Sequence, residues 1–186
     1  MEELLDIVDE YGIPTGETVS RKVAHERGIR HRTSHVWLVR KKDGMVQILL
    51  QKRSDEKDSY PGCYDISSAG HIPAGVDFLS SALRELKEEL GYNASPEELV
   101  YCGQRTFEFH QVFHGKMFHD NQVSNVYVLW ADLEPEDFVL QKEEVSEVRC
   151  FGLEECFEKV RRDEIPNCIF LEELEMVRRG VHSGIM

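Results

Sequence analysis

Three glutamates, Glu85, Glu88 and Glu89, have the spacing in this chain that most clearly favours chemistry. Side chains three and four residues apart share one face of an α-helix, so the three carboxylates are expected to lie close together. Like charges at that distance repel unless a cation lies among them, and hard oxygen ligands suit Mg²⁺ or Mn²⁺. The spacing therefore predicts a divalent-cation site. From the glutamates alone, a solvated acidic face is the alternative interpretation.

The glutamates lie within residues 77–91, the segment with the clearest helical pattern. Asp77 can cap the first amides of this helix, and Gly91 is placed to end it in a left-handed conformation. Four leucines, spaced to share one face, form an apolar stripe: Leu79, Leu83, Leu86 and Leu90. The glutamate face lies roughly 140° from this stripe. The leucines are therefore expected to anchor the helix while the glutamates face a site.

Residues 70–92 resemble the Nudix box, whose signature is a glycine, five residues, a glutamate, seven residues, and then Arg-Glu-aliphatic-x-Glu-Glu-x-Gly. The matching residues here are Gly70, Arg84, Glu85, Leu86, Glu88, Glu89 and Gly91. From average residue usage, the second half of this pattern should arise by chance in well under roughly one chain in a thousand. The resemblance implies an α/β fold, a Nudix-type α/β/α sandwich with a mixed β-sheet, in which the box forms a loop-helix-loop catalytic motif.

The same resemblance implies a pyrophosphohydrolase that uses Mg²⁺ or Mn²⁺ and cleaves a diphosphate linked to another moiety. Glu85, Glu88 and Glu89 match the carboxylates that bind metal and help to activate water. The backbone carbonyl of Ala69 matches a frequent additional metal ligand, and Arg84 matches an orienting arginine of the catalytic motif.

One position departs from the signature, because Val76 replaces the first glutamate of the box. In the family that glutamate commonly pairs with the box arginine, which is Arg84 here. Asp77 follows directly and is a candidate substitute. The metal-binding carboxylates are intact, so we expect Arg84 to be held differently while catalytic activity is kept. A non-catalytic nucleotide-binding module is the alternative.

A wider resemblance, over much of residues 7–90, is to the isopentenyl-diphosphate-isomerase branch of the same superfamily. Its matching pieces are GIPTG at 12–16, Ala24-His25, His31, Trp37, the run 49–62 and Ala69-Gly70-His71. The resemblance implies that His25, His31 and His71 bind a divalent metal. It also implies that Arg53, Lys57 and Arg21 contact the diphosphate of the substrate. Ordinary core or surface histidines are the alternative interpretation.

The isomerase activity itself is disfavoured by Ala69. Isomerases of this branch carry a proton-transferring cysteine at that position, and a methyl group cannot transfer a proton. The intact box carboxylates also favour hydrolysis. The sequence therefore predicts hydrolysis of a phosphoanhydride bond, in a nucleoside diphosphate derivative or another organic diphosphate, on an isomerase-like scaffold.

A hydrolase of this class often uses a further acid from a later loop, and four residues are candidates: Glu108, Asp120, Glu143 and Glu144. For any single one of them, a solvated side chain is the more common role. Three histidines, His110, His114 and His119, are expected close together in a loop after a strand, where they are solvated or near the substrate.

Composition restricts the partners of the chain. Its 186 residues carry 22 Lys and Arg against 35 Asp and Glu, a net charge of −13. Such a surface repels phosphate backbones, so general nucleic-acid binding is not expected. No apolar run approaches the roughly 20 residues of a membrane span. Five widely spaced cysteines without a CxxC motif, and an acidic N-terminus unlike a targeting peptide, favour a cytoplasmic location.

The remaining pattern predicts one domain. Strands are expected at 34–41, 46–52, 64–69, 99–110, 123–132 and 145–151, and later helices at 153–162 and 168–179. Residues 1–30 are polar and punctuated by Gly and Pro, which predicts an N-terminal extension or hairpin packed on a Nudix hydrolase domain spanning 31–186. A homodimer is one arrangement that the resemblance allows, since many relatives pair through N-terminal segments.

Overall fold

The structure, a computed structural model, describes residues 2–57 and 59–182. Its strands are β1 (Leu4–Val8), β2 (Pro14–Ser20), β3 (His31–Lys42), β4 (Met45–Arg53), β5 (Tyr64–Asp65), β6 (Ser68–His71), β7 (Leu99–Phe113), β8 (Lys116–Trp130) and β9 (Val145–Gly152). Its α-helices are α1 (Arg21–Arg27), α2 (Phe78–Leu90), α3 (Leu153–Arg161) and α4 (Leu171–His182), and two short 3₁₀ turns cover Pro96–Glu98 and Pro135–Asp137.

The main sheet is mixed. Its strand order is β5-β4-β3-β8-β7, with β6 also pairing with β3 and β9 with β4. The central pair, β3 and β8, is parallel and runs from His31 opposite Gln122 to Val39 opposite Trp130. The neighbouring pairs of this sheet are antiparallel.

Successive side chains of each central strand point to opposite sides of the sheet. Both faces therefore carry apolar side chains, and helices pack on each face. On one side, Leu86 and Leu90 of α2 pack against a core that includes Leu38. On the other side, Leu174 of α4 and residues of α3 pack against a core that includes Trp37. The predicted α/β/α sandwich is therefore confirmed.

Helix α2 begins and ends where its capping residues predict. Asp77 accepts a hydrogen bond from the backbone N–H of Ser80 at 2.9 Å, and Gly91 closes the helix in the left-handed conformation at φ 67°. The expected strand at 64–69 is instead two short strands, β5 and β6, separated by a bend. That bend matters because it turns β6 onto β3, beside α2.

The expected loop around His110, His114 and His119 is wrong. Strands β7 and β8 continue without interruption to a tight turn at His114-Gly115, with His110 directly opposite His119. Because β8 pairs with β3 only from Gln122 onward, residues 108–121 form a hairpin that projects beyond the sheet. We refer to this projecting hairpin as the arm.

The N-terminal segment is a β1–β2 hairpin followed by α1, a helix that the composition of residues 1–30 did not indicate. Asp6 in β1 accepts hydrogen bonds from Arg32 at 2.7 Å and from the backbone of Gly75 at 2.9 Å, which ties the hairpin to the loop before α2. Helix α1 carries His25 toward the main sheet. The division of the chain at residue 30 stays a prediction.

None of the helices within the described ranges is both long and apolar enough to cross a membrane. All five cysteines lie in these ranges, and no disulfide joins any of them. Burial raises the pKa of Cys156 to about 12, so this thiol stays protonated and acts as a small core residue.

Candidate active site and metal centres

Glu89 is a buried carboxylate on α2, with only 6% of its surface exposed. Its Oε2 accepts hydrogen bonds from Ser68 Oγ at 2.7 Å and from the backbone N–H of Ala69 at 3.3 Å, both on β6. Burial raises the pKa of Glu89 to about 8, and the charge of Glu85 adds to the rise. A carboxylate placed this way needs a proton or a cation at neutral pH.

Glu85 lies against the backbone of Gly70. A Cβ atom at position 70 would lie 2.1 Å from Glu85 Cδ, so only glycine leaves room for this carboxylate. Burial raises the pKa of Glu85, although the adjacent charge of Arg84 opposes the rise. Arg84 also donates to the carbonyl of His71 at 3.2 Å, which fixes the end of β6 against α2.

Glu88 is the exposed member of the three, with 56% of its side chain accessible against 15% for Glu85. Its carboxylate lies 3.9 Å from the guanidinium of Arg84. Asp77 is occupied as the cap of α2 and does not take the place of the missing box glutamate as a partner of Arg84. Arg84 instead pairs with Glu85, the next residue along the helix.

The three predicted histidine ligands come together from three separate elements: α1, β3 and β6. His25 Nε2 lies 3.0 Å from His71 Nε2, and the three residues offer ring nitrogens that lie within 4.8 Å of one another. We call His25, His31 and His71 the histidine triad. Asp120 joins it from the arm, with Oδ1 at 3.5 Å from His25 Nδ1 and 3.7 Å from His31 Nε2.

Burial keeps the three imidazoles of the histidine triad uncharged. Burial lowers the pKa of His25 to about 3 and that of His31 to about 4, and it holds His71 well below its ordinary value. His31 Nδ1 donates to the carbonyl of Ile29 at 2.8 Å, which leaves the lone pair on Nε2. His31 Nε2 and His25 Nδ1 are buried and have no hydrogen-bond partner among residues 2–57 and 59–182. Neutral imidazoles with unsatisfied nitrogens fit a bound divalent cation.

A cavity of about 1250 Å³ is lined by His25 and His71 of the histidine triad and by Gly70 at the start of the box. Ala69, Gly70 and His71 of β6 form part of its wall. The three predicted phosphate-binding residues also line it: Arg21, Arg53 and Lys57. Arg53 is held by Asp65 at 3.0 Å and by the carbonyl of Ser59 at 3.0 Å. The cavity therefore combines a local basic cluster with carboxylates, in a chain of strongly negative net charge.

The candidates for a later acid separate into different places. Glu143 and Glu144 line the cavity, and Glu144 pairs with Lys57. Asp120 lies beside the histidine triad, and burial raises its pKa to about 6. Glu108 is on the face of the arm that points away from the cavity, so the structure does not bring it to the site.

Sequence reasoning missed a buried polar cluster at the cavity wall. Glu173 of α4 accepts hydrogen bonds from His35 at 2.9 Å, Trp37 at 2.8 Å and Arg105 at 3.2 Å. Burial alone would raise the pKa of Glu173, but these three contacts lower it below its ordinary value. Residues so distant along the chain gave no spacing pattern, and only a Glu inside an apolar helix stripe hinted at the cluster.

Family comparison agrees with this geometry. The NUDIX domain family matches residues 17–169. The chain belongs to the NUDIX domain family. The predicted membership of the Nudix superfamily is thereby confirmed. The family and the hydrolase relatives identify the protein as a pyrophosphohydrolase. Members of the family generally use divalent metal ions.

Two relatives and one solved structure illustrate the match. An uncharacterized Nudix hydrolase of Clostridium acetobutylicum is 41% identical over 144 residues, covering 77% of this chain and 67% of that protein. Nudix hydrolase 3 of Arabidopsis thaliana is 43% identical over 159 residues, which cover 83% of this chain but 20% of the plant protein. The crystal structure of DR0079 from Deinococcus radiodurans has a TM-score of 0.67 at 20% identity, covering 95% of this chain and 98% of that one.

Proposed function

We propose that this protein is a Mg²⁺- or Mn²⁺-dependent hydrolase that cleaves a phosphoanhydride bond in a nucleoside diphosphate derivative or another organic diphosphate. The observation that supports it best is the convergence on β6, where Ser68 and Ala69 hold Glu89 and Gly70 accommodates Glu85. Ala69 and Gly70, which contact these carboxylates, line the same cavity as the basic residues, so a cation and a diphosphate can be bound together.

The residues of the chain have separable roles in this proposal. Glu85, Glu88, Glu89 and the carbonyl of Ala69 would hold the cation, which when bound lowers the pKa of a water molecule and neutralises phosphate charge. Arg53 and Lys57 bind the phosphate that does not react, and Arg21 also lines the cavity. Arg84 orients Glu85 through their ion pair. Glu143 and Glu144 are the candidates for orienting the attacking water.

The direct test is a screen for release of phosphate or a monophosphate. Nucleotide sugars, nucleoside di- and triphosphates, dinucleotides and isoprenoid diphosphates are offered with Mg²⁺ or Mn²⁺. We expect metal-dependent turnover of at least one class, abolished by a chelator and unaffected by Glu155→Gln, a change of an exposed glutamate on α3. The proposal is wrong if no class yields product with either metal.

A second cation at the histidine triad is part of the same proposal. We expect metal-free protein to bind one tight Mn²⁺ fewer per chain when His71 is replaced by alanine, as measured by equilibrium dialysis. His182→Ala, at an exposed histidine of α4, is the control and should bind as the unchanged protein does. Equal Mn²⁺ counts in all three proteins would show that the triad holds no cation.

The isomerase-like branch stays a prediction. The histidine triad and Asp120 support it, while Ala69 remains the argument against isomerase chemistry because its methyl group lies where a proton donor is needed. Conversion of isopentenyl diphosphate to dimethylallyl diphosphate, followed by NMR, would establish the alternative. A non-catalytic nucleotide-binding module is disfavoured by the intact box carboxylates. A small-molecule substrate, a cytoplasmic location and a homodimer complete the proposal.

A further inference from the structure

The arm has two chemically different faces. Side chains that point inward, Phe109, Phe113, Phe118 and Asp120, line the cavity. Side chains on the outer face alternate with them, and include Glu108, His110 and His119. The outer face is on the opposite side of the hairpin from the histidine triad. A ligand bound there would be separate from the proposed catalytic cations.

Glu108, His110 and His119 form a compact cluster on this outer face. His110 and His119 are directly opposite each other in the β7–β8 register, with ring centroids 4.4 Å apart. Glu108 is two residues before His110 on the same face, and its Oε1 lies 2.7 Å from His119 Nε2. The three side chains offer ligand atoms that all lie within 4.8 Å of one another.

The neighbouring end of α1 restrains His119. The imidazole of His119 lies against Gly28, where an added Cβ atom would be 2.3 Å from His119 Cε1. Asn121, also on the outer face, donates to the carbonyl of Gly28 at 3.1 Å and accepts from Arg30 at 3.1 Å. The glycine and the asparagine together hold α1 against the arm. One imidazole of the cluster is therefore positioned before any ligand arrives.

We propose that Glu108, His110 and His119 bind a transition-metal cation of the Zn²⁺ class. Two imidazoles and one carboxylate suit Zn²⁺, whereas Mg²⁺ prefers oxygen ligands alone. Tetrahedral coordination at about 2.1 Å places neighbouring ligand atoms about 3.4 Å apart. The exposed Glu108 and His110 can reach this spacing by side-chain rotation, and water fills the fourth position. The cation would bridge the two strands of the arm.

The test counts Zn²⁺ bound by metal-free protein in excess Mg²⁺, using equilibrium dialysis. His71→Ala serves as the background, so that the histidine triad does not contribute. In this background we expect His110→Ala to lose one Zn²⁺ per chain and Glu108→Gln to weaken binding at least about tenfold, since even outer-shell partners of a metal commonly matter that much. His182→Ala is the matched control and should keep the ion.

Co²⁺ provides a second measurement, because its visible absorption reports coordination directly. In the same His71→Ala background, we expect a tetrahedral spectrum that disappears in His110→Ala and persists in His182→Ala. Equal Zn²⁺ counts with and without His110 would overturn the proposal and leave only the hydrogen bond between His119 and Glu108. Neither the Zn²⁺ count nor the Co²⁺ spectrum depends on turnover, so failure of the hydrolase proposal would not affect the result.

Discussion

Replacing Glu89 by glutamine is expected to abolish hydrolysis and also to protect the metal-free protein against unfolding at alkaline pH. The loss of activity follows from the proposed role of Glu89 as a cation ligand. Stabilisation of transition-state charge by a metal is worth several kcal/mol, so kcat should fall by about a thousandfold or more. The gain in stability follows from the burial of the same carboxylate.

The direction of the stability change comes from the pKa of Glu89, which burial raises from 4.5 to about 8. A raised pKa in the folded state means that stability is fully present below the unfolded pKa and is lost as pH rises through the folded one. Glutamine does not titrate and so avoids this loss. Relative to the unchanged protein, Glu89→Gln should therefore gain about 3–5 kcal/mol between pH 4 and pH 9.

Urea unfolding of metal-free protein across this pH range measures the difference. Any cost of the extra amide donor in the buried site is independent of pH and drops out of the trend. Glu155→Gln is the control and should show no such trend. Saturating Mg²⁺ should reduce the gain, since cation binding favours the ionised carboxylate. A pH-independent difference between Glu89→Gln and the unchanged protein would contradict the assignment of a raised pKa.

Replacing Gly70 by alanine is expected to inactivate the enzyme through a single methyl group. The added Cβ would lie 2.1 Å from Glu85 Cδ and 2.4 Å from Glu85 Cγ. Because the clash is with a side chain, Glu85 can swing away, and the fold should survive with a cation ligand displaced. We expect kcat/KM to fall at least about a hundredfold, while the free energy of unfolding changes by about 1 kcal/mol or less.

Gly152→Ala is a matched control for this experiment. Gly152 also lacks a positive φ, and a Cβ there would meet Glu155 at an ordinary 3.6 Å. The Gly152→Ala variant should keep kcat/KM within about twofold of the value for the unchanged protein. If Gly70→Ala retained full activity, Glu85 would not be required where the structure places it. A large loss of stability would instead indicate that β6 cannot tolerate the change.

The helix of the catalytic motif was the part of the fold that the sequence predicted best. Its caps, Asp77 and Gly91, and its leucine stripe are local features, and local features depend on spacing alone. The strands that follow were expected in the right places but too short at the arm. Polar residues such as His110 and Asn121 interrupted the apolar pattern there, although β7 and β8 supply each other with hydrogen bonds through all of them.

The histidine triad could be suspected only through family resemblance. His25, His31 and His71 are far apart in the chain, and no spacing rule connects a helix with two different strands. The burial of Glu89 was also unexpected, because an acidic residue opposite a leucine stripe is normally solvated. The cause is β6, which covers that part of α2 with Ser68 and Ala69, and a strand packing there cannot be inferred from the helix itself.

The arm has an evolutionary consequence that follows from its position beyond the sheet. Among the strands that the structure describes, residues 108–121 pair only with each other, so insertions or deletions at the turn would leave both cores intact. The proposed cation ligands Glu85 and Glu89, in contrast, contact β6, which pairs with the central strand β3. Phe113, Lys116 and Met117 at this turn line the cavity. Descendants of this protein could therefore take a different substrate through changes at the turn alone, while Asp120 and the glutamates of α2 keep their places.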